Sequence, residues 1–402
     1  MEDKQIEEKL TLLDHLQASC TGCGLCSEAC ATFQHSGWEQ ESPRGRLSLA
    51  AQFLHGRIDP QSPALSTFDR CLGCQACEPL CPHHVPYHKV RQLVQELRSE
   101  LHPSPLSSKQ QSQYKRWITL AYRIGNVFWR RYGKKWLTIP SLKCQSRYSF
   151  AKKSKLPSIR QPVLAICCVQ DLYQHDVIEQ TLVFMQRLGY SLAIDKKQPC
   201  CGAIFERLIH GGEETVRCSK EHQRAISLQH KTLNSFIKWL PSPSYFLAKA
   251  CQCFMARHTD KTSDLYAWIE TLLNRQQLTL YFLEPREVYY QPYCGSEKGP
   301  QDPIWRLLHQ MEGLTVRDIL NPIACCGGYC GETLLHPQHA QGLAKQKIAD
   351  LPVGATLIVT SPDCWGLFNT YQGNKRLTLL YPIQLLANAL IKVREMLSGE
   401  IL

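Results

Sequence analysis

From Leu101 to Pro162 the sequence has no aspartate or glutamate at all, yet 14 lysines and arginines fall between Lys109 and Arg160. That segment alone exceeds the net charge of +11 carried by the whole 402-residue chain. Elsewhere the chain is close to neutral or slightly acidic, so the overall charge does not indicate a nucleic-acid binder; the basicity is local. No stretch reaches 18 uninterrupted apolar residues, which argues against a spanning helix. The N-terminal MEDKQIEEKLTLL lacks the apolar core of an export signal, so a reducing cytoplasmic setting is expected. There is no G-x-G-x-x-G after a strand-like run and no P-loop; CGGYCG around Cys326 is glycine-rich but has the wrong spacing to cradle phosphate.

Cysteine, by contrast, is abundant: 21 residues, strongly clustered. In a short secreted chain this would suggest disulfides, whereas in a long chain of cytoplasmic character clusters point to metal or catalysis. A chain of this length, 44% hydrophobic, predicts two or three domains.

CTGCGLCSEAC supplies Cys20, Cys23, Cys26 and Cys30, and CLGCQACEPLCP supplies Cys71, Cys74, Cys77 and Cys81. This C-x2-C-x2-C-x3-C spacing, present twice, is that of two-cluster ferredoxins, in which the fourth cysteine of each motif serves the other cluster. It predicts one [4Fe-4S] cluster on Cys20, Cys23, Cys26 and Cys81, and a second on Cys71, Cys74, Cys77 and Cys30. Zinc is the competing metal, but its modules pair two C-x2-C knuckles instead of placing three cysteines in seven residues. Between the motifs, ESPRGRLSLAAQFLHG reads as a proline turn and then a helix, with Leu47, Leu49, Ala50, Phe53 and Leu54 on its apolar face. Arg44 and Arg46 are either solvated or in contact with a cluster environment or a partner. His83 and His84 read as loop residues.

Residues 101–161 form a basic bridge. Trp117, Leu120, Ala121, Ile124, Val127 and Phe128 recur at helical spacing among Lys115, Arg116, Arg123, Arg130 and Arg131. A helix packed on its own domain and a membrane-surface or partner-docking helix both fit this pattern. From Cys144 to Pro162 the chain reads as a linker.

Beyond Pro162 one order of elements occurs twice. PVLAICCVQ, a helix-like DVIEQTLVFMQRLG, the strand pattern YSLAI, PCCGA and YFLAKACQCF are followed by VYYQPYCG, IWRLLHQMEG, CCGGYCGE and ATLIVTSPDC. Cys168 precedes Cys200 by 32 residues and Cys294 precedes Cys325 by 31. Duplicated α/β domains are expected, with cysteines at strand ends where such sheets place ligands. A disulfide between neighbouring cysteines would close a strained ring. Cys200–Cys201 and Cys325–Cys326 are instead read as metal or cluster ligands, as a catalytic dithiol, or as buried structural cysteines. The glycine after each pair permits a sharp turn.

The doubled ferredoxin motif, SPRGR, CVQ at Cys168, CCGA at Cys200 and IVTSPDC ending at Cys364 together resemble the iron–sulfur subunit of glycolate oxidase over nearly the whole chain. Related cysteine-rich domains occur in heterodisulfide reductases, anaerobic glycerol-3-phosphate dehydrogenase and lactate-utilisation proteins. The resemblance implies a flavin-free subunit that takes electrons from FAD-binding dehydrogenase subunits and passes them towards quinone at the inner face of the cytoplasmic membrane. It further implies one or two non-cubane [4Fe-4S] centres: one on Cys168, Cys200, Cys201 and Cys251, with Cys253 as a further candidate, the other on Cys294, Cys325, Cys326 and Cys364. Two departures stand out: Ala31 replaces the proline that usually follows the fourth ferredoxin cysteine, and Cys253 gives C-x-C where relatives have C-x2-C. Cys144, Cys167, Cys218 and Cys330 are surplus to these sets.

The expected architecture is a multidomain α+β / α/β chain. A helical two-cluster domain spans 1–100, the basic bridge 101–161, a first CCG domain 162–285 and a second 286–402. Electron relay is the expected role, and no side chain is assigned as a general base; His336 and His339 are read as surface or core residues. The rival readings are a heterodisulfide-reductase-like or glycerol-3-phosphate-dehydrogenase-like catalytic subunit, and a cluster-bearing structural or sensory subunit. Nucleic acid is not an expected partner.

Overall fold

The computed structural model describes residues 2–101, 162–167, 170–171, 174–195, 198–203, 220–319, 324–328 and 337–393. Residues 102–161 of the basic bridge lie outside the described residues, as do Cys144, Cys168, Cys218, Cys330 and His336.

The N-terminal module is helical: α1 (Glu2–Gln17), α2 (Ala31–Ser36), α3 (Pro43–Leu54), α4 (Thr67–Arg70) and α5 (Tyr87–Leu101). The proline turn expected before α3 is its N-terminus. The Ser42 hydroxyl accepts the Gly45 N–H at 2.8 Å, and Pro43 occupies the first turn, where no N–H is needed. Of the apolar face read from the sequence, Leu47, Ala50 and Phe53 are buried and Leu49 and Leu54 partly so. They meet Leu13 of α1 and Val90, Val94 and Leu97 of α5, whose spacing of four and three residues puts them on one helix face. Gly45 has a steric reason: a Cβ there would stand 2.0 Å from the Glu39 carbonyl oxygen. Glycine thus lets the turn Glu39–Glu41 lie against the helix.

The C-terminal region is α/β. Its first sheet is parallel, in the order β1 (Val163–Ala165), β2 (Ser244–Phe246), β3 (Thr262–Asp264). Ala165 pairs with Phe246, and Phe246 with Asp264. Around it run α6 (His175–Arg187), α7 (Lys220–Trp239), α8 (Lys249–Ala256) and α9 (Leu265–Arg275). Asp264 caps α9, accepting from the Tyr266 and Ala267 N–H groups at 2.8 and 3.2 Å.

The second sheet has β4 (Leu278–Gln291) at its centre. The order is β5 (Glu312–Asp318), β4, β6 (Thr356–Val359), β7 (Thr378–Leu380), all parallel, and β8 (Leu390–Val393) pairs antiparallel with the beginning of β4. The helices here are α10 (Pro303–His309), α11 (Pro337–Lys347), α12 (Pro362–Tyr371) and α13 (Pro382–Asn388). β4 runs through residues 285 and 286, where the sequence reading divides the two halves. One apolar core joins the sheets, with Leu164, Phe184 and Ile269 packed in the same cluster as Tyr290, Ile358 and Tyr381. Arg187 reinforces the joint, donating to the carbonyls of Ala387 and Ala389 at 2.7 and 2.9 Å. Among the described residues no helix is long and apolar enough to cross a membrane.

Candidate iron–sulfur centres

The two ferredoxin-type motifs fold so that each borrows from the other. Cys20, Cys23, Cys26 and Cys81 line one recess, together with Gly22, Gly24 and Arg44. Cys30, Cys71, Cys74 and Cys77 line another, with Arg46, Tyr87 and His88. The ligand sets expected from the spacing are therefore grouped in space. Cys77 also borders the first recess.

The chemistry of both recesses suits iron–sulfur ligation. All donors are thiols, and backbone N–H groups face the sulfurs: Gly73 to Cys71 and Val85 to Cys81, both at 3.4 Å. Burial pushes the Cys26 thiol up to about 11, against a hydrogen bond from the Arg44 backbone that favours the thiolate. The Cys77 thiol is likewise raised, first by burial and then by the neighbouring Cys74, Cys30 and Cys71. Such thiols give up their protons when a metal replaces them.

Of the two arginines in SPRGR, Arg44 is half-exposed and paired with Glu39, whereas Arg46 is wholly buried. The Arg46 guanidinium donates to the Thr67 carbonyl at 2.9 Å, the Thr32 hydroxyl at 3.2 Å, the Glu41 carboxylate at 2.8 Å and the Glu41 carbonyl. It also reaches Cys30 Sγ at 3.8 Å. A fixed cation thus stands beside one cysteine of the second set. His83 and His84 are exposed, as expected of loop residues.

The α/β region gathers its cysteines at the carboxyl ends of parallel strands, the usual binding edge of such sheets. At the end of β1, Cys251 meets Cys167 and Cys201; Cys200 borders the same apolar recess with Phe236 and Phe246. Hydrogen bonds to Cys167 and Cys201, together with burial, raise the Cys251 thiol well above its ordinary value. Gln198 fixes the CCG loop to the strand end, accepting from Ile166 N–H at 2.9 Å and donating to its carbonyl at 2.6 Å. Cys167, left over in the sequence reading, is therefore the described cysteine that joins this group.

In the second half the adjacent cysteines stay in contact and reach different further partners. Cys326 Sγ lies 3.1 Å from Cys364 Sγ at the start of α12. The Cys325 thiol, which also contacts that of Cys326, lies with those of Cys294 and Cys74 within 4.8 Å of one another. Gly202 and Gly327 adopt φ of +89° and +92°, which lets each CCG loop reverse after its second cysteine. The amides of Gly202, Gly327 and Gly328 point at Cys200, Cys325 and Cys326, each at 3.4 Å. Cys253 does not join Cys251. It packs with Cys74, Cys294 and Cys325, because residues two apart on a helix face nearly opposite ways.

Lys347, buried, and Lys298, half-buried, accompany the second group, and no motif announced them. Lys347 of α11 donates to the Ala324 carbonyl at 2.8 Å and faces Cys326, Cys325 and Cys294; burial lowers its pKa to about 8. Lys298 donates to the Tyr293 carbonyl and faces Cys294, Asp302 and Cys74.

Comparisons with known proteins agree with this chemistry. Residues 19–86 match the 4Fe-4S dicluster domain family. The chain is similar to a probable glycolate oxidase iron-sulfur subunit of Bacillus subtilis, 24% identical with 86% of this chain and 87% of the relative covered. It is 23% identical to the glycolate oxidase iron-sulfur subunit of Escherichia coli, over 87% and 88% of the two chains. Lactate utilization protein A of Bacillus licheniformis is 23% identical, over 51% of this chain and 88% of that protein. No solved structure matches significantly.

Proposed function

We propose that this chain is the electron-transferring subunit of a complex in which a separate FAD-bearing subunit oxidises glycolate or a related 2-hydroxy acid. The observation that carries the reading is the pair of crossed four-thiol sets in the N-terminal module, joined to relatives that are named as glycolate oxidase iron-sulfur subunits. In this reading Cys20, Cys23, Cys26 and Cys81 hold one [4Fe-4S] cluster, and Cys71, Cys74, Cys77 and Cys30 the other. When bound, the clusters supply one-electron carriers to a protein whose side chains cannot carry electrons themselves. The protein sets ligation, hydrogen bonding and burial around the sulfurs. The two electrons of each substrate oxidation leave the flavin one at a time, and the route ends at a quinone by way of a partner or membrane contact.

The two cysteine groups of the α/β region are proposed as further cluster sites in duplicated CCG domains, dividing near residues 285 and 286. Their support is the shared glycine turn, the N–H groups facing sulfur, and the position of both groups at parallel-strand ends. Location at the inner face of the cytoplasmic membrane is proposed from the basic segment 101–161.

Anaerobic reconstitution of the full chain, with iron and sulfide counts and EPR at several potentials, tests the cluster content. Two cubane signals are expected, with additional iron carrying a distinct signal. Adding glycolate to the chain together with its co-purified flavoprotein should reduce the clusters. A complex that reduces its flavin with glycolate but leaves the clusters oxidised would overturn the relay.

A further inference from the structure

The dicluster module does not meet the two halves of the α/β region alike. Ala29, Ala31, Leu72 and Ala76 pack with Tyr293, Ala324 and Leu343 of the second half and with Ala250 and Cys253 of α8 in the first, and small side chains predominate on the module's side. Glycines bring the backbones closer still. A Cβ on Gly342 of α11 would stand 3.0 Å from the His35 ring of α2, and one on Gly295 would stand 3.5 Å from the Cys74 carbonyl oxygen. His35 Nδ1 and Gln346 Oε1 are 3.2 Å apart across the same seam.

Cys74 lies in this seam. It borders the recess with Cys30, Cys71 and Cys77, yet its sulfur also falls within 4.8 Å of Cys294 and Cys325. These three thiols come from three separate parts of the chain, the second ferredoxin-type loop, the end of β4 and the CCG loop. Lys347, which is buried, and Lys298, which is half-buried, stand beside them. The first group, around Cys201 and Cys251, sits in a recess lined by Ile166, Gln198, Phe236 and Phe246, and none of its lining residues comes from the dicluster module.

We propose that Cys74 is a shared ligand: its thiolate belongs both to the dicluster set and to a metal centre held by Cys294 and Cys325. The inference rests on the iron–sulfur reading above. It makes the cysteine group around Cys294 and Cys325, and not that around Cys201 and Cys251, the one coupled directly to the dicluster module. A thiolate sulfur has lone pairs enough for two metal centres, and the packing around Cys74 is what such sharing requires.

The test uses the full chain, reconstituted anaerobically with iron and sulfide, and reads iron per chain, EPR line shape and spin relaxation. Cys294→Ser should remove or alter the additional centre and also change the relaxation of one dicluster signal. Cys201→Ser should leave both dicluster signals as in the wild type. Cys74→Ser should disturb a dicluster signal and the additional centre together. If Cys294→Ser leaves both dicluster signals untouched, or Cys74→Ser leaves the additional centre intact, sharing is overturned while the iron–sulfur reading stands. A wild-type chain holding only about eight irons would overturn the additional centres themselves and sharing with them. Should Cys74→Ser fail to fold, Cys294→Ser and Cys201→Ser decide between the outcomes.

Discussion

Replacing Arg46 by methionine removes a buried cation while roughly keeping the volume of its stem. The guanidinium is fully enclosed and is the partner of Glu41, whose side chain is 9% exposed. After the substitution Glu41 keeps Arg70, which is 46% exposed, and the Thr67 carbonyl and Thr32 hydroxyl lose a donor. Breaking a buried ion pair from one side costs about 3–5 kcal/mol, because the remaining charge stays out of water. That is a large fraction of the roughly 5–15 kcal/mol that holds a typical domain together.

The assay is anaerobic bleaching of the iron–sulfur absorbance of the loaded chain in guanidinium. Cluster loss is irreversible, so the informative quantity is a rate. If only about 1 kcal/mol of the loss falls on the unfolding barrier, bleaching accelerates about fivefold. Arg46→Lys keeps the charge but lacks the planar fork that reaches Thr67, Thr32 and Glu41 together, so its rate should fall between the two. Arg46→Met takes positive charge from beside Cys30 Sγ, so the potential of one cluster should drop while the other holds. Wild-type bleaching together with unchanged potentials would refute the role given to Arg46.

Gly327→Ala should cost about 1–3 kcal/mol, since φ is +92° and the new Cβ would stand 3.0 Å from Leu343 Cβ; a lowered thermal midpoint and reduced iron content would report it. Ser42→Ala, which removes the cap of α3, should cost about 1 kcal/mol in the bleaching assay, and an unchanged rate would count against the cap. Loading of cadmium, a thiophilic probe, onto metal-free chain should rise steeply from pH 7 to 9. The Cys26 and Cys253 thiols, raised chiefly by burial to about 11, must lose protons to bind, so thiolate increases with pH; flat uptake would refute this.

Local structure was legible in the sequence where it depends on neighbours in the chain. Two C-x2-C-x2-C-x3-C motifs grouped their thiols as the spacing required, and Pro43 with Ser42 started α3 where the pattern indicated. Long-range partners were not legible. Whether Arg46 was solvated or set against a cluster depended on Thr32, Glu41 and Thr67, and the sequence left that open. Nothing near Cys74 announces Cys294 or Cys325, more than 200 residues further along the chain. The separation of Cys253 from Cys251 was within reach, because C-x-C on a helix places the two thiols on nearly opposite faces.

The first cysteine group shows where spacing stops being informative. Ala165 pairs with Phe246 in one sheet, and Gln291 with Val359 in the other. Three residues beyond Ala165 and Gln291 stand Cys168 and Cys294; five beyond Phe246 and Val359 stand Cys251 and Cys364. Strand register thus repeats the equivalence that the intervals of 32 and 31 residues suggest. Yet the thiol brought to Cys251 and Cys201 among the described residues is that of Cys167. Adjacent residues on extended backbone point to opposite sides, so a one-residue slip exchanges which of two neighbouring thiols faces a site. A cysteine doublet at a strand end offers a thiol in either register, and Gln198 holds the backbone of Ile166 just before it.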